Sequence, residues 1–255
     1  MCQFALAMRS YLQILLAVAC FSFLSPVQAR QQTRSNPDVQ AVNGFVGLQV
    51  GIPSAEMQRA IRNRMGNLGF GLGLIILSDP GTWGAHKYKS SFRLGGELGY
   101  SYYGRFLSDV SINGYEGSYK TSYGLAQLNV VIQVRPPQLQ RISPFVDVIA
   151  GGNFYLSRTK ENLNAIESAL GIQGFEIDSY ASVGFNKGIA AGFSFGDPDL
   201  YRAPRLTIRL SYNMGSDIHY VERNSLTYNP GANRLEYQVG RAPVRYFMAQ
   251  LGVSF

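Results

Sequence analysis

Strict alternation between apolar residues and small or polar residues is the feature that most constrains how this chain can fold. It is clearest in the final stretch, "RYFMAQLGVSF", where every second residue from Phe247 to Phe255 is apolar. Apart from Met248, the residues between them are small or polar. Successive side chains of a β-strand point to opposite faces, so a period of two predicts a strand whose faces meet different environments.

The same period recurs in seven further segments. They are "VNGFVGLQVGI", "NLGFGLGLII", "SFRLGGELGYSY", "YGLAQLNVVIQV", "PFVDVIAGGNFYL", "ASVGFNKGIAAGFSF" and "LTIRLSYNM". Their lengths are near the roughly 9–11 residues of a tilted strand that crosses a membrane. Their second face carries Gly, Gln, Asn and Ser rather than the Lys and Glu typical of a solvated sheet. Aromatic residues cluster at the strand ends, as at the two interfaces of a membrane barrel.

These segments predict an all-β chain that forms an eight-stranded antiparallel up-and-down transmembrane β-barrel over residues 42–255, with short helices in its extracellular loops. A barrel of ten strands and a soluble lipocalin-like barrel, apolar inside and polar outside, are the alternatives. The expected extracellular loops are 53–66, 104–118, 157–179 and 215–243. The expected periplasmic turns are 78–90, 136–142 and 196–205, which contain the turn sequences "DPG", "RPPQ" and "GDPD".

Residues 1–29 have the pattern of a secretory signal peptide. Arg9 precedes the apolar stretch "YLQILLAVACFSFL", and small residues precede a cleavage site expected after Ala29. A membrane-anchoring helix and a lipoprotein signal ending at Cys20 are the alternatives. Residues 30–41 are expected to form a periplasmic N-terminal segment. Both cysteines lie within the signal, so the exported chain is expected to have neither a thiol nor a disulfide.

Charge and composition limit the classes of partner that we expect for this chain. The net charge of +7 falls to +6 on removal of residues 1–29, which hold one Arg and no acid. Export and the lack of a basic–aromatic cluster that could follow a phosphate backbone argue against nucleic acid. Only 15% of residues are charged, which suits a barrel whose outer face is not in water. The expected location is the cell outer membrane, and the expected partners are its lipids and lipopolysaccharide.

Four charged residues fall on the polar face of the predicted strands: Arg93, Glu97, Asp147 and Arg209. A basic residue facing lipid at the membrane midplane costs roughly 2–4 kcal/mol, so these side chains are expected to point into the lumen and pair there. Arg93 and Glu97 are about 13 Å apart along one strand, so each is expected to pair with another strand. The alternative reading of this lumen charge network is a gate or an ion path.

Candidate catalytic residues are few. The chain has two histidines, His86 and His219, which the predicted topology puts at opposite ends of the barrel, so they cannot share a metal or a triad. Outer-membrane hydrolases need a His near a Ser and an acid, and His219 with Ser216 and Asp217 is the one candidate cluster. These observations predict that the protein is not an enzyme and has no cofactor or metal site. A lipid-modifying enzyme is the less favoured alternative.

Two expected loops have helical patterns. "SAEMQRAIRNRMG" offers Ser54 as the N-cap and Gly66 as the stop, and its Arg59, Arg62 and Arg64 form a basic patch suited to lipid headgroup phosphates. "TKENLNAIESALG" has one apolar stripe and predicts a second helix. "HYVERNSLTYNPGANRLEYQV" predicts a hairpin that turns at "NPGAN". An exposed hairpin can offer an edge to a protein partner at the extracellular loops.

The signal peptide, the eight alternating strands and the terminal Phe together resemble the small outer-membrane β-barrels of the OmpA/OmpX type. The stretches "GFGLGLIIL" and "LGGELGYSYYG" are also similar to PorT-like outer-membrane barrel domains. The first resemblance concerns architecture, and we interpret the chain as an outer-membrane barrel with a structural or surface-binding role. The second resemblance implies the alternative, an accessory barrel of a secretion or surface-assembly machine. The last strand resembles the signal read by barrel-assembly machinery, carried here by Phe247, Leu251, Val253 and Phe255. Because eight strands leave room only for side chains, the lumen is expected to be plugged by polar residues, unlike that of a general porin.

Overall fold

The computed structural model describes residues 42–61, 68–83, 88, 90–112, 115–136, 141–161, 176–196, 204–222, 225–229, 231 and 234–255. The strands in these ranges are β1 (Val42–Pro53), β2 (Gly69–Ser78), β3 (Phe92–Ile112), β4 (Tyr115–Val134), β5 (Ile142–Glu161), β6 (Glu176–Phe195), β7 (Arg205–Val221), β8 (Thr227–Asn229), β9 (Arg234–Glu236) and β10 (Val239–Ser254). One α-helix, α1 (Ala55–Ile61), and a 3-10 turn, Pro80–Thr82, complete the described elements.

Eight strands form a closed barrel in the order β1-β10-β7-β6-β5-β4-β3-β2, and every neighbouring pair is antiparallel. The two short strands, β8 and β9, pair only with each other, with Thr227 opposite Glu236. This arrangement confirms the predicted eight-stranded barrel, and it confirms a hairpin between β7 and β10. The barrel closes between β1 and β10, where Leu48 lies opposite Leu251.

The alternation in the sequence separates the two faces of the barrel wall. Large apolar side chains point outward and are exposed on all eight barrel strands, including Leu48, Leu72, Leu98, Leu128, Val148, Val183, Leu210 and Leu251. The intervening side chains point inward, and many of them are polar and buried, as with Gln250 on β10. Soluble proteins rarely expose such a continuous apolar surface. An apolar outer face and a polar inner face are the reverse of the lipocalin-like alternative, which is apolar inside and polar outside.

Exposed aromatic rings mark both edges of the apolar outer band. Phe92 and Phe255 lie at the end where β1 begins and β10 finishes, which we call the terminal end. Tyr102 and Phe247 mark the other edge, towards the α1 end. The ten steps from Phe92 to Tyr102 along β3 correspond to a height of roughly 25 Å at the usual strand rise and barrel tilt. That height matches the apolar band of membrane-spanning barrels.

The barrel strands extend into three of the predicted loops, 104–118, 157–179 and 215–243. β3 continues to Ile112, β5 continues to Glu161, and β6 begins at Glu176. The antiparallel ladder between β3 and β4 extends to the pair Ile112 and Tyr115, so backbone hydrogen bonding holds these segments as strands beyond the apolar band. β7 likewise reaches Val221.

A bulge hides the continuation of β3 in the sequence. The β3–β4 register shifts between Tyr102 and Gly104, and Gly104 has a φ of 97°, a left-handed conformation that glycine adopts readily. The extra residue turns the side chains of β3 by one position, so that the parity of inward and outward residues changes. The regular alternation in the sequence therefore stops at Tyr102, although strand β3 continues beyond it.

The first predicted helix is confirmed as α1. The Ser54 hydroxyl accepts a hydrogen bond from the Met57 amide at 3.5 Å, in the position expected of an N-cap. Gly66, the signal peptide 1–29, segment 30–41, His86 and residues 162–171 of the second predicted helix lie outside the described residues, while residues 159–161 belong to β5. No helix among the described residues is both long enough and apolar enough to cross a membrane.

Candidate functional site: the interior of the barrel

An ion cluster occupies the middle of the barrel. The Arg209 guanidinium of β7 donates to the Glu97 carboxylate of β3 and to the Asp147 carboxylate of β5, both at 2.7 Å. All three side chains are at most 3% exposed. The arginine therefore joins strands on different sides of the barrel, and it faces two carboxylates with one positive charge. A buried charge is tolerated only when such partners surround it.

Neutral amides extend the hydrogen bonding of this cluster. The Asn129 amide donates to Glu97 at 3.2 Å, and the Gln133 amide donates to Asp147 at 2.9 Å. Arg209 also donates to the Gln250 carbonyl oxygen at 2.6 Å. These three amides come from strands β4 and β10, and each was on the polar face in the sequence. They occupy several of the lone pairs and protons that the ion pairs leave open, and the buried Nη2 atom of Arg209 is left without a hydrogen bond among the described residues.

The network spreads across the barrel from Gln250. Its amide donates to Gln49 of β1 at 3.1 Å, and the Gln49 amide donates to Ser101 of β3 at 2.9 Å. β2 contributes space instead of a side chain. A methyl group on Gly73 would lie 2.8 Å from the Gln250 amide nitrogen and 2.9 Å from the Gln49 oxygen. Glycine at this position therefore allows the two glutamines to meet.

Arg93 belongs to a separate site nearer the terminal end. Its guanidinium lies 3.6 Å from the Asp79 carboxylate, and both side chains are buried. Asp79 also accepts a hydrogen bond from the Gly81 amide at 2.9 Å and caps the 3-10 turn. The structure thus brings together three of the four predicted lumen charges and separates the fourth. Sequence reading missed Asp79 because it lies in a turn, outside the alternating pattern.

Towards the α1 end, the interior changes from polar to aromatic. Tyr103, Tyr123, Tyr155 and Tyr246 are buried there, and helix α1 inserts Met57 among them. The Tyr123 and Tyr155 rings stack with their centroids 6.2 Å apart. Alternation puts these tyrosines in phase with the inward residues of their strands, as with Tyr246 and Gln250, but it does not show that they pack together around Met57.

Hydrogen bonds tie the aromatic layer to the wall. The Tyr246 hydroxyl donates to the Asn153 oxygen at 3.4 Å, and the Tyr123 hydroxyl donates to the Val221 carbonyl at 3.3 Å. At the top of β7, partial burial raises the pKa of the Tyr220 hydroxyl, and the nearby Glu222 carboxylate raises it further. Tyr220 is therefore neutral at physiological pH and adds no charge to this layer.

The candidate catalytic residues are not arranged as a triad. The Ser216 hydroxyl accepts a hydrogen bond from the Phe185 amide at 2.8 Å, and Asp217 pairs with Arg241 at 2.8 Å. His219 uses its backbone amide to donate to Ser182, and its side chain is exposed. No hydrogen bond joins Ser216, Asp217 and His219 in this part of the described chain. Within the described residues, no group of three His, Cys, Asp or Glu side chains could hold a metal ion.

The remaining predicted site residues lie on the outer surface. Arg59 is exposed on α1, whereas Arg62 and Arg64 lie outside the described residues. The residues of the expected insertion signal are exposed on the outward face of the barrel: Phe247, Leu251, Val253 and Phe255. Phe255 lies at the terminal end, where its backbone pairs with Gly44 of β1.

The fold and its interior define a closed eight-stranded antiparallel barrel with an apolar exterior and a polar, hydrogen-bonded centre. No protein-family model and no curated protein matches the chain. Among solved structures, a major outer membrane protein from Thermus thermophilus aligns with a TM-score of 0.49 and 11% identity, covering 85% of this chain and 99% of that one.

Two further solved structures align over similar lengths. Neisserial surface protein A has a TM-score of 0.44 and 10% identity, covering 84% of this chain and 96% of its own. The outer membrane protease OmpT from Escherichia coli has a TM-score of 0.35 and 8% identity, covering 88% of this chain and 99% of its own. Identities this low carry no information about ligand or activity.

Proposed function

We propose that this protein is an integral outer-membrane β-barrel with a structural or surface-binding role, exported by the signal peptide 1–29. The observation that carries the proposal is the reversed polarity of the wall. Exposed leucines and valines surround the barrel between two rims of aromatic rings, while Arg209 and its carboxylate partners are buried inside. Only a hydrocarbon environment makes that arrangement favourable.

The filled interior supports a barrel that is not a general porin. The Arg209 cluster and its amides span the centre, and the aromatic layer with Met57 lies above it. Near the terminal end, Arg205 donates to the Ser143 hydroxyl at 3.3 Å, and the Ser194 and Thr207 hydroxyls lie 3.0 Å apart. An eight-stranded barrel has space for side chains alone, and these side chains occupy it.

Cell fractionation with gel mobility tests the proposal. A closed barrel has no free edge and stays folded in detergent, so unboiled protein should migrate differently from boiled protein. The folded form should sediment with outer membranes and should lack residues 1–29. Recovery of the protein in the soluble periplasm, or a single mobility before and after boiling, would refute the membrane assignment.

An accessory barrel of a secretion or surface-assembly machine is the second candidate. The observation in its favour is the wall of β3 to β6, which continues beyond the apolar band, together with the β8–β9 hairpin at the same end. These elements extend the wall at the α1 end, and this is the surface we propose for a protein partner. Crosslinking from cysteines introduced at the exposed residues Asp109 and Ser179 would capture such a partner, and no crosslink would count against this role.

We also propose that the protein is not an enzyme. Ser216 and Asp217 already bind the β6 backbone and Arg241, so neither is available to activate the other through His219. Lipid analysis of membranes from cells with the His219→Ala variant tests this proposal. The lipid profile should match that of wild type, whereas a lost modification would favour a lipid-modifying enzyme.

A further inference from the structure

Basic side chains converge on the outer face of the wall just above the rim of the apolar band. In the barrel register, Arg105 of β3 lies opposite Ser122 of β4, and Ser122 lies opposite Arg158 of β5. Lys120 lies two residues away from Ser122 along β4, on the same face. With strands about 4.8 Å apart and a rise of about 3.3 Å per residue, the three basic backbone positions fall within roughly 10 Å of each other.

A tyrosine and a glycine form the lower boundary of this basic cluster. Gly124 follows Ser122 by two residues on the outer face, and the Tyr100 ring leans across it. A methyl group on Gly124 would lie 2.6 Å from the Tyr100 hydroxyl oxygen. The hydroxyl therefore lies at the level of β4 between the apolar band and the row of Arg105, Ser122 and Arg158. Tyrosine at this boundary has its ring in the apolar layer and its hydroxyl among polar groups.

Apolar side chains continue below and between the cations. Phe154 and Leu156 are exposed on β5, and Leu107 is exposed on β3 beside Lys120. Asp109 is the one carboxylate with an outward side chain in residues 104–109, 118–124 and 155–160. Within the described residues, no ion pair involves Arg105 or Lys120. The surface thus combines positive charge with an apolar border immediately beneath it.

We infer that Arg105, Lys120 and Arg158 form a binding site for the phosphate groups of outer-leaflet lipopolysaccharide, with its acyl chains against Phe154 and Leu156. This inference rests on the proposed outer-membrane location. At this height above the apolar band, outer-leaflet lipopolysaccharide presents its phosphate groups to the protein surface. Guanidinium groups bind phosphate with directed, charge-assisted hydrogen bonds. The site lies on the barrel wall and is separate from the expected patch at Arg59, Arg62 and Arg64.

Binding of purified lipopolysaccharide to the detergent-solubilised barrel tests the inference, with native mass spectrometry as the readout. The double variant Arg105→Gln/Lys120→Gln should lose affinity by about tenfold or more, because each charge-assisted contact is worth more than a neutral one. Wild-type protein should lose affinity to a similar degree for lipopolysaccharide treated with phosphatase. Arg105→Lys/Lys120→Arg, which keeps both charges, should retain most of the binding.

Arg241→Gln is the matched control. Arg241 is exposed at the same end of the barrel but is already paired with Asp217, so its loss should leave the affinity unchanged. Every variant should keep the heat-modifiable mobility of the folded barrel. A loss of that mobility in wild type would refute the proposed function itself. With the barrel intact, unchanged binding by the double variant, equal binding of dephosphorylated lipid, or an equal loss in Arg241→Gln would overturn the site.

Discussion

Gly44 and Phe255 join the first and last strands as a reciprocal pair. The Gly44 amide donates to the Phe255 carbonyl at 2.8 Å, and the Phe255 amide donates to the Gly44 carbonyl at 2.9 Å. The Phe255 ring covers Gly44, because a methyl group on Gly44 would lie 2.6 Å from ring carbons. The backbone bonds close the ladder at the terminal end, while the exposed ring adds apolar surface at the rim.

The first prediction separates assembly from stability at this position. Phe255→Asp should strongly reduce the amount of folded protein in the membrane, because its ring is part of the expected insertion signal. The backbone bonds to Gly44 do not depend on the side chain, so protein refolded in detergent should lose little stability. Quantitative blots of outer membranes and the temperature of the gel-mobility transition measure the two effects.

Phe92→Asp is the control for this prediction. Phe92 lies at the same rim and is 56% exposed, against 57% for Phe255. A charge at Phe92 disturbs the lipid interface to a similar degree but lies outside the last strand. If both variants reach the membrane in equally reduced amounts, the effect is interfacial and the recognition argument fails.

The second prediction concerns the buried ion cluster. Arg209→Met removes the only cation that bonds to Glu97 and Asp147 among the described residues, and two buried carboxylates then face each other. The free energy of unfolding should fall by roughly 3–5 kcal/mol. Urea-induced unfolding of the refolded barrel in lipid vesicles measures the loss.

A double-mutant cycle distinguishes this explanation from simple loss of packing. Adding Glu97→Gln to Arg209→Met removes one of the unpaired charges, so the double variant should recover part of the lost stability. Additive losses would show that Glu97 and Arg209 do not depend on each other.

The third prediction tests the space that Gly73 leaves inside the barrel. Gly73→Val would push apart Gln49 and Gln250 and break the hydrogen bond between them, so stability should fall by roughly 1–3 kcal/mol. Gly96→Val is the matched control on the outer face, where the nearest atom to an added methyl group, the Asn129 carbonyl oxygen, is 3.7 Å away. Equal losses in the two variants would contradict the role of the interior space.

The fourth prediction is that the purified barrel conducts no steady current in a planar bilayer. The Arg209 cluster lies in the centre, and Met57 with the aromatic layer lies above it, so we expect no open path for ions. Met57→Ala should lower stability by roughly 2–5 kcal/mol through the cavity it leaves. It should not open a conducting path, since the polar centre is untouched. Ion-selective steps in wild type would replace the structural role with that of a channel.

Most of the barrel could be predicted because alternation alone determines which side chains face lipid. Glu97, Asp147 and Arg209 were assigned to the interior because each falls on the polar face of its strand and because a charge that faces lipid is costly. Their pairing required the register of β3, β5 and β7, which no local pattern contains. The predicted end of β3 was wrong because of Gly104, whose bulge reverses the parity on which the pattern depends.

The aromatic layer shows a second limit of sequence reading. Tyr102 and Tyr103 are chemically identical neighbours, yet Tyr102 faces outward at the rim and Tyr103 is 1% exposed inside. Composition cannot distinguish a rim tyrosine from an interior one. Alternation along β3 does distinguish them, because Tyr103 is in phase with the buried Ser101, but it contains no information on how Tyr103 packs with tyrosines of other strands. Asp79 was missed for a related reason, since its partner Arg93 lies on a strand but Asp79 lies in a turn.

The unequal strand lengths make the barrel wall asymmetric around its circumference. β3 continues ten positions beyond Tyr102 to Ile112, whereas β1 ends at Pro53 and β2 begins at Gly69, close to the rim. A neighbour diffusing in the membrane therefore meets a strand that rises well beyond the rim when it approaches β3. It meets strands that end close to the rim when it approaches β1 and β2. Rotation about the membrane normal, which changes nothing for a plain cylinder, here decides which surface the protein turns towards its neighbours.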